Sequence, residues 1–169
     1  MNVSLGARAH TVVDSPLGEL ILVAEGDALV GLYMTDQRHR PPVESFGRRE
    51  GRLLGAVAEQ LTQYFAGERT VFDVPVALTG TPFQRAVWTA LCDIPYGEST
   101  SYGELAVRVG RPGAARAVGL ANGRNPVGII VPCHRVVGSG GGLTGYGGGL
   151  GRKRYLLDLE RHAAVAPLF

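Results

Sequence analysis

The feature that most limits the fold is a change of pattern at Gly80. Before it, residues 10–13, 19–24 and 28–34 are short β-rich runs parted by Ser15-Pro16-Leu17-Gly18 and Glu25-Gly26-Asp27, which is how an antiparallel meander reads. Residues 36–49 read as a loop. The spacing of Leu53, Leu54, Val57, Leu61, Tyr64 and Phe65 predicts a helix over 50–66, stopped by Gly67. Residues 71–78 read as a further strand, which Pro75 confines to a sheet edge. After Gly80 helices take over, each with its own start signal. Thr81-Pro82-Phe83-Gln84 supplies a capping threonine, a proline in the first turn and a glutamine that reaches back, and Ser101-Tyr102-Gly103-Glu104 repeats the device. Phe83, Val87, Trp88 and Leu91 form the first buried face, with Cys92 beside them as a core thiol. A short helix to Val109, the turn Gly110-Arg111-Pro112-Gly113 and a third helix over 112–123 make a helix-turn-helix pattern, closed where Asn125 precedes Pro126. The expected class is mixed α/β: a small α+β domain over 1–79 and a helical domain with a helix-turn-helix over 80–169.

The chain has 169 residues, 45% of them hydrophobic, enough for a buried core. It shows no basic-then-apolar leader and no run near the ~18 apolar residues that cross a bilayer, so the expected setting is the cytoplasm with no membrane partner. Two cysteines, Cys92 and Cys133, cannot build a disulfide framework, and neither shares a zinc-ligand spacing with the scattered histidines. No metal and no cofactor is expected. Charge is uneven. Residues 1–79 hold seven arginines against ten acidic residues and residues 80–169 ten basic against five acidic, giving −3 and +5. The basic half is either solvated surface or the footprint of a polyanion. Sixteen of the seventeen basic residues are arginine, which suits phosphate recognition and equally reflects genome composition.

Pro132-Cys133-His134-Arg135-Val136 sets a sulfur nucleophile beside the side chain best suited to activating it near neutral pH. A neighbouring Cys-His pair is weak evidence alone, since most buried cysteines are inert. The flanks strengthen it: Asn125-Pro126 and the apolar run 127–131 precede it, and residues 138–151, with nine of the 25 glycines, follow as a loop whose backbone can approach a ligand. The third helix carries small side chains almost throughout, with Arg116 as one long cation near its start. Alone it would read as tight packing inside a domain. In a basic half with a helix-turn-helix pattern, a helix lying against DNA is the better reading, through Ala114, Ala115, Arg116, Ala117, Gly119, Ala121 and Asn122.

These residues, in this order, resemble the O6-alkylguanine-DNA alkyltransferases, also called methylated-DNA-protein-cysteine methyltransferases. The resemblance rests on Ser101-Tyr102, Ala114 to Gly119, Asn125-Pro126, Pro132 to Val136 and Gly145-Tyr146-Gly147-Gly148. It is dense over 80–162; earlier it extends only to size and the Ser-Pro-Leu-Gly hairpin. It implies a ribonuclease-H-like α/β N-terminal domain and a helical domain that binds DNA and reacts. The implied activity is direct-reversal repair: O6-alkylguanine, and O4-alkylthymine with it, is flipped from double-stranded DNA bound through the minor groove, and the alkyl group passes irreversibly to Cys133, once per molecule. By the same resemblance Glu160 orients His134, which reaches the thiol through a water, and Tyr102 donates to a guanine ring nitrogen as negative charge develops there. Asn125 is the hinge between helix-turn-helix and active-site strand, Val136 and the Tyr146-Gly147 backbone line the pocket, and Arg116 fills the space the base vacates. The implied protein is a nucleoid-associated monomer, with room for cooperative clustering on DNA.

Without the family the same residues read plainly: Glu160 as a surface residue beside the apolar stripe of Leu156 and Leu157, Tyr102 as a core tyrosine, Asn125 as a helix stop and Arg116 as a surface arginine. On extended backbone, adjacent side chains face opposite ways, so His134 is not expected to touch the Cys133 sulfur directly. Three other functions fit parts of the chain. A non-catalytic sensor of alkyl damage would lack the acceptor cysteine, and a helix-turn-helix regulator would bind its sequence regardless of alkylation. A Cys-His peptidase would turn over peptides, although such pairs are usually distant in sequence.

Overall fold

The computed structural model describes residues 7–51 and 54–165. They form two compact units with the boundary between Leu78 and Thr79. Among the described residues no helix is long and apolar enough to cross a membrane.

In the first unit the three β-rich runs become β1 (Arg8–Val13), β2 (Leu20–Glu25) and β3 (Ala28–Met34), paired antiparallel in succession. Gly18 turns the first hairpin at φ 95°, donating its N–H to the Ser15 carbonyl at 3.0 Å. The segment expected as a plain loop holds a 3-10 turn, Val43–Phe46, and a two-residue strand β4 (Arg48–Arg49) parallel to β1. Sheet order is β3-β2-β1-β4. Gly47 makes that approach feasible: at φ 78° a Cβ there would run into the Arg8 carbonyl. Phe46 then closes a cluster with Ile21, Val23 and Tyr33, stacked on Tyr33 at 5.4 Å between ring centroids.

Two elements of this unit are shorter than predicted. Helix α1 (Gly55–Phe65) begins at Gly55 because Leu54 is left-handed, φ 58°; Leu53, counted in the predicted helix, lies outside the described residues. Val57, Leu61 and Tyr64 are its buried side, and it ends where Gly67 at φ 78° lets Glu68 donate back to Gln63 at 2.9 Å. The strand expected over 71–78 is a single bridge, Val76 against Leu29. Pro75 contributes only its carbonyl, to the Leu29 N–H at 2.8 Å, since it has no N–H to extend a ladder.

In the second unit both capping boxes form. Thr81 and Gln84 open α2 (Pro82–Leu91), and Ser101 and Glu104 open α3 (Tyr102–Arg108) directly after strand β5 (Thr100–Ser101). Val87, Trp88 and Leu91 are the buried side of α2, and the Trp88 indole donates to the Ala121 carbonyl of α4 (Ala115–Gly123) at 2.8 Å. Cys92, expected in the core, is exposed, because it caps the end of α2 instead of continuing its apolar stripe. Helix α4 starts later than predicted, since Gly113 at φ 85° keeps Pro112 in the turn. The apolar run 127–131 is a turn closed by Ile130 N–H to Gly128 carbonyl at 2.8 Å, with Ile129 at φ 69°. Beyond it come a 3-10 turn, Cys133–Arg135, strand β6 (Val136–Val137) parallel to β5, and helix α5 (Leu150–Val165).

Candidate active site

Two asparagines hold the backbone on which Cys133 sits. Asn125, just past α4, donates through Nδ2 to the Val131 carbonyl at 2.8 Å and accepts the Val127 N–H at 3.0 Å, so one buried side chain pins both ends of the 127–131 turn. Asn122 donates to the carbonyl of Cys133 itself at 3.2 Å. Asn122 and Ala121 were expected to face DNA. They are 4% and 3% exposed and point into the unit, which corrects that placement. Gly119 also turns inward, where a Cβ would sit 3.7 Å from the Tyr102 ring. Helix α4 is small-sided on both faces, so size alone did not reveal which face was which. Its exposed side carries Arg116, Ala117 and, one turn after Arg116, Leu120 at 72% exposure; Ala114 and Ala115 are half-buried.

Cys133, His134 and Arg135 occupy one 3-10 turn and are all buried. The backbone is therefore not extended as the sequence reading assumed, and successive side chains stand about a third of a turn apart. The His134 ring bonds to the last helix: its Nε2 lies 2.7 Å from Glu160 Oε2 on α5. Its Nδ1 is buried with no partner among the described residues. With Nε2–H donating to the carboxylate, Nδ1 presents a lone pair. Glu160 is 1% exposed, not on the surface, and Arg135 grips the same carboxylate with Nε at 2.8 Å and Nη2 at 3.1 Å, while Nη1 donates to the Ile94 carbonyl at 2.6 Å.

The electrostatics follow from that packing. Burial alone would raise the Glu160 carboxyl, but the hydrogen bonds of His134 and Arg135 and the Arg135 charge hold it down at about 2. Burial pushes His134 below its usual range despite Glu160, so the imidazole rests neutral at pH 7. Burial raises the Cys133 thiol, countered by a hydrogen bond from Asn125 and the positive charge of Lys153. The array is a buried thiol beside a neutral imidazole whose free nitrogen can take a proton, backed by a fixed carboxylate. It suits a nucleophile that sheds its proton as it attacks.

Opposite lies the glycine loop. The Tyr102 hydroxyl donates to the carbonyls of Thr144 at 2.9 Å and Gly145 at 3.5 Å. Tyr146 and Gly147 are half-buried, and burial beside Cys133 holds the Tyr146 phenol well above its usual range. Val136 is fully buried in β6.

Two family models match this chain: the 6-O-methylguanine DNA methyltransferase ribonuclease-like domain over 9–78 and the DNA-binding domain of the same proteins over 82–162. The chain belongs to the O6-methylguanine-DNA methyltransferase family. It is 55% identical over 159 residues to the methylated-DNA–protein-cysteine methyltransferase of Mycobacterium bovis, covering 94% of this chain and 96% of that one. A constitutive methyltransferase of Bacillus subtilis is 46% identical over 156 residues, 90% of this chain and 94% of its own. The crystal structure of the Mycobacterium tuberculosis O6-methylguanine methyltransferase superimposes with a TM-score of 0.88 at 52% identity, over 95% of this chain and 96% of that one. A second crystal structure, of the M. tuberculosis protein in complex with DNA, gives 0.87 at 52% identity over 94% and 96%.

For a member of this methyltransferase family, two site residues were not picked out from the sequence. Arg135 sat inside the recognised motif without a role, and only the fold shows that it shares the Glu160 carboxylate. Lys153 had one available signal, that it is the sole lysine among seventeen basic residues.

Proposed function

We propose that this protein repairs DNA by taking the alkyl group of O6-alkylguanine onto Cys133. The observation that carries the reading is the buried Cys133–His134–Glu160 array with one imidazole nitrogen unpartnered. A water between the thiol and His134 Nδ1 carries the proton across. The sulfur attacks the alkyl carbon, the carbon–oxygen bond breaks, and its electron pair leaves with guanine, which Tyr102 steadies by donating to a ring nitrogen as charge builds. The thiol proton rests on imidazolium until the departing base takes it up. Sulfur is left as a thioether, whose carbon–sulfur bond has no easy exit, so each molecule acts once. O4-alkylthymine would enter by the same route.

The target carbon is out of reach in a stacked duplex, so the nucleotide has to leave the helix, at a few kcal/mol. The exposed face of α4 is the surface offered for this: Arg116 fills the vacated stack, with Ala117 small enough to let the backbone near the minor groove and Ala114 and Ala115 at its edge. Asn125 ties α4 to the reacting turn. Val136 and the Tyr146-Gly147 backbone border the base. The protein works as a monomer.

Intact-protein mass after mixing with a duplex carrying one O6-methylguanine tests this. One methyl on wild type and none on Cys133→Ala is expected; tighter binding to the lesion without any adduct would instead make the protein a sensor. With Arg116→Ala, the adduct should form slowly from duplex and at the wild-type rate from free O6-methylguanine. Equal losses on both substrates would remove the finger role.

A further inference from the structure

The Tyr102 phenol has one proton, and in this structure it is spent on the pocket loop, chiefly on Thr144 at 2.9 Å. To serve a departing guanine the hydroxyl must let go of that carbonyl. Losing that bond with no replacement donor opposes the exchange. Thr144, however, has a second donor: the Lys153 ammonium lies 2.7 Å from the same oxygen and 3.3 Å from that of Gly145. Lys153 is 0% exposed, and its Nζ stands 5.9 Å from the centre of the Tyr102 ring. In a chain that uses arginine at every other basic position, the one lysine stands here, its compact ammonium reaching both loop carbonyls.

We propose that Lys153 is a positioning residue of the transfer: by keeping the Thr144 and Gly145 carbonyls bonded, it releases the Tyr102 hydroxyl to the leaving base. This rests on the reading of Tyr102 given above. The ionisable groups facing the ammonium are Cys133 and His134 of the 3-10 turn and Tyr102 of α3. Its charge favours the thiolate and disfavours imidazolium, so the two offset when a proton moves from Cys133 to His134, which leaves the Tyr102 hydroxyl as the route by which Lys153 acts. Burial brings Lys153 itself down to about 8, partly restored by Cys133.

A double-mutant cycle on single-turnover transfer from an O6-methylguanine duplex tests the assignment, using wild type, Lys153→Met, Tyr102→Phe and both together. Each single change should slow transfer roughly tenfold, and the double should be no slower than Tyr102→Phe within about twofold, because Lys153 acts through the hydroxyl. Lys153→Gln, which keeps an N–H donor, should recover part of the loss in the Tyr102 background and none beside Tyr102→Phe. Effects that multiply, to roughly a hundredfold in the double, would overturn the proposal, as a lysine that only holds the fold would behave so in either background. Should Lys153→Met not fold, the same cycle with Lys153→Gln decides. A wild type that transfers no methyl sinks the Tyr102 reading itself; a wild type that transfers, with multiplying effects, sinks only Lys153.

Discussion

The two walls of the site are built by opposite means. On the Cys133 side every element is buried and tied by side chains: Asn122 and Asn125 hold backbone, and Arg135, Glu160 and His134 hold one another. On the far side, residues 138–149 are mostly exposed glycine backbone, closed by its own turn bonds and by Tyr102 and Lys153. The reacting atom needs fixed distances, whereas the wall around the base must take in a group and let it leave. Rigidity is concentrated where bonds change and glycine where the visitor passes.

The contrast breaks most sharply if the buried pair is cut. Arg135→Met should destabilise the protein by about 3–5 kcal/mol, read from urea unfolding, because Glu160 would stay charged and buried without the guanidinium that grips both of its oxygens. A loss below about 1 kcal/mol would mean that the rigid wall does not depend on that pair. Acid probes the same wall more gently. Glu160 titrates at about 2 folded against about 4.5 unfolded, so its contribution, up to roughly 3 kcal/mol, is complete above pH 4.5 and fades as pH falls toward 2. Glu160→Gln should flatten that limb of the stability profile, and an unchanged slope would assign the acid sensitivity elsewhere. The glycine wall should respond least. Gly141 sits at φ 81° with nothing within 4 Å of an added Cβ, so Gly141→Ala should cost only about 1 kcal/mol of local backbone strain, with the transfer rate nearly unchanged. A tenfold rate loss there would show that the loop is held as tightly as the opposite wall.

What could be read from the sequence was what neighbours decide. Both capping boxes and the Gly67 stop are signals of three or four residues, and they form as read. The apolar run 127–131 has the composition of a strand, but its course is set by Asn125 bonding across it, a tertiary fact. Cys92 follows an apolar stripe in sequence yet falls past the last turn of α2. In α4, a helix of small residues has no strong side, so Ala121 and Asn122 could not be told from Ala117 until Trp88 and Cys133 were seen to claim them. The Glu160 and Arg135 contact spans 25 residues, and no local spacing announces it.

Helix α4 is only nine residues long, with Arg116 and Leu120 on its outer side and Asn122 bonded to the Cys133 carbonyl on its inner side. It works as a lever with no slack. A tilt imposed at the outer surface cannot leave the reacting residue where it was without breaking the Asn122 bond, so grip outside and aim inside are set by one rigid body.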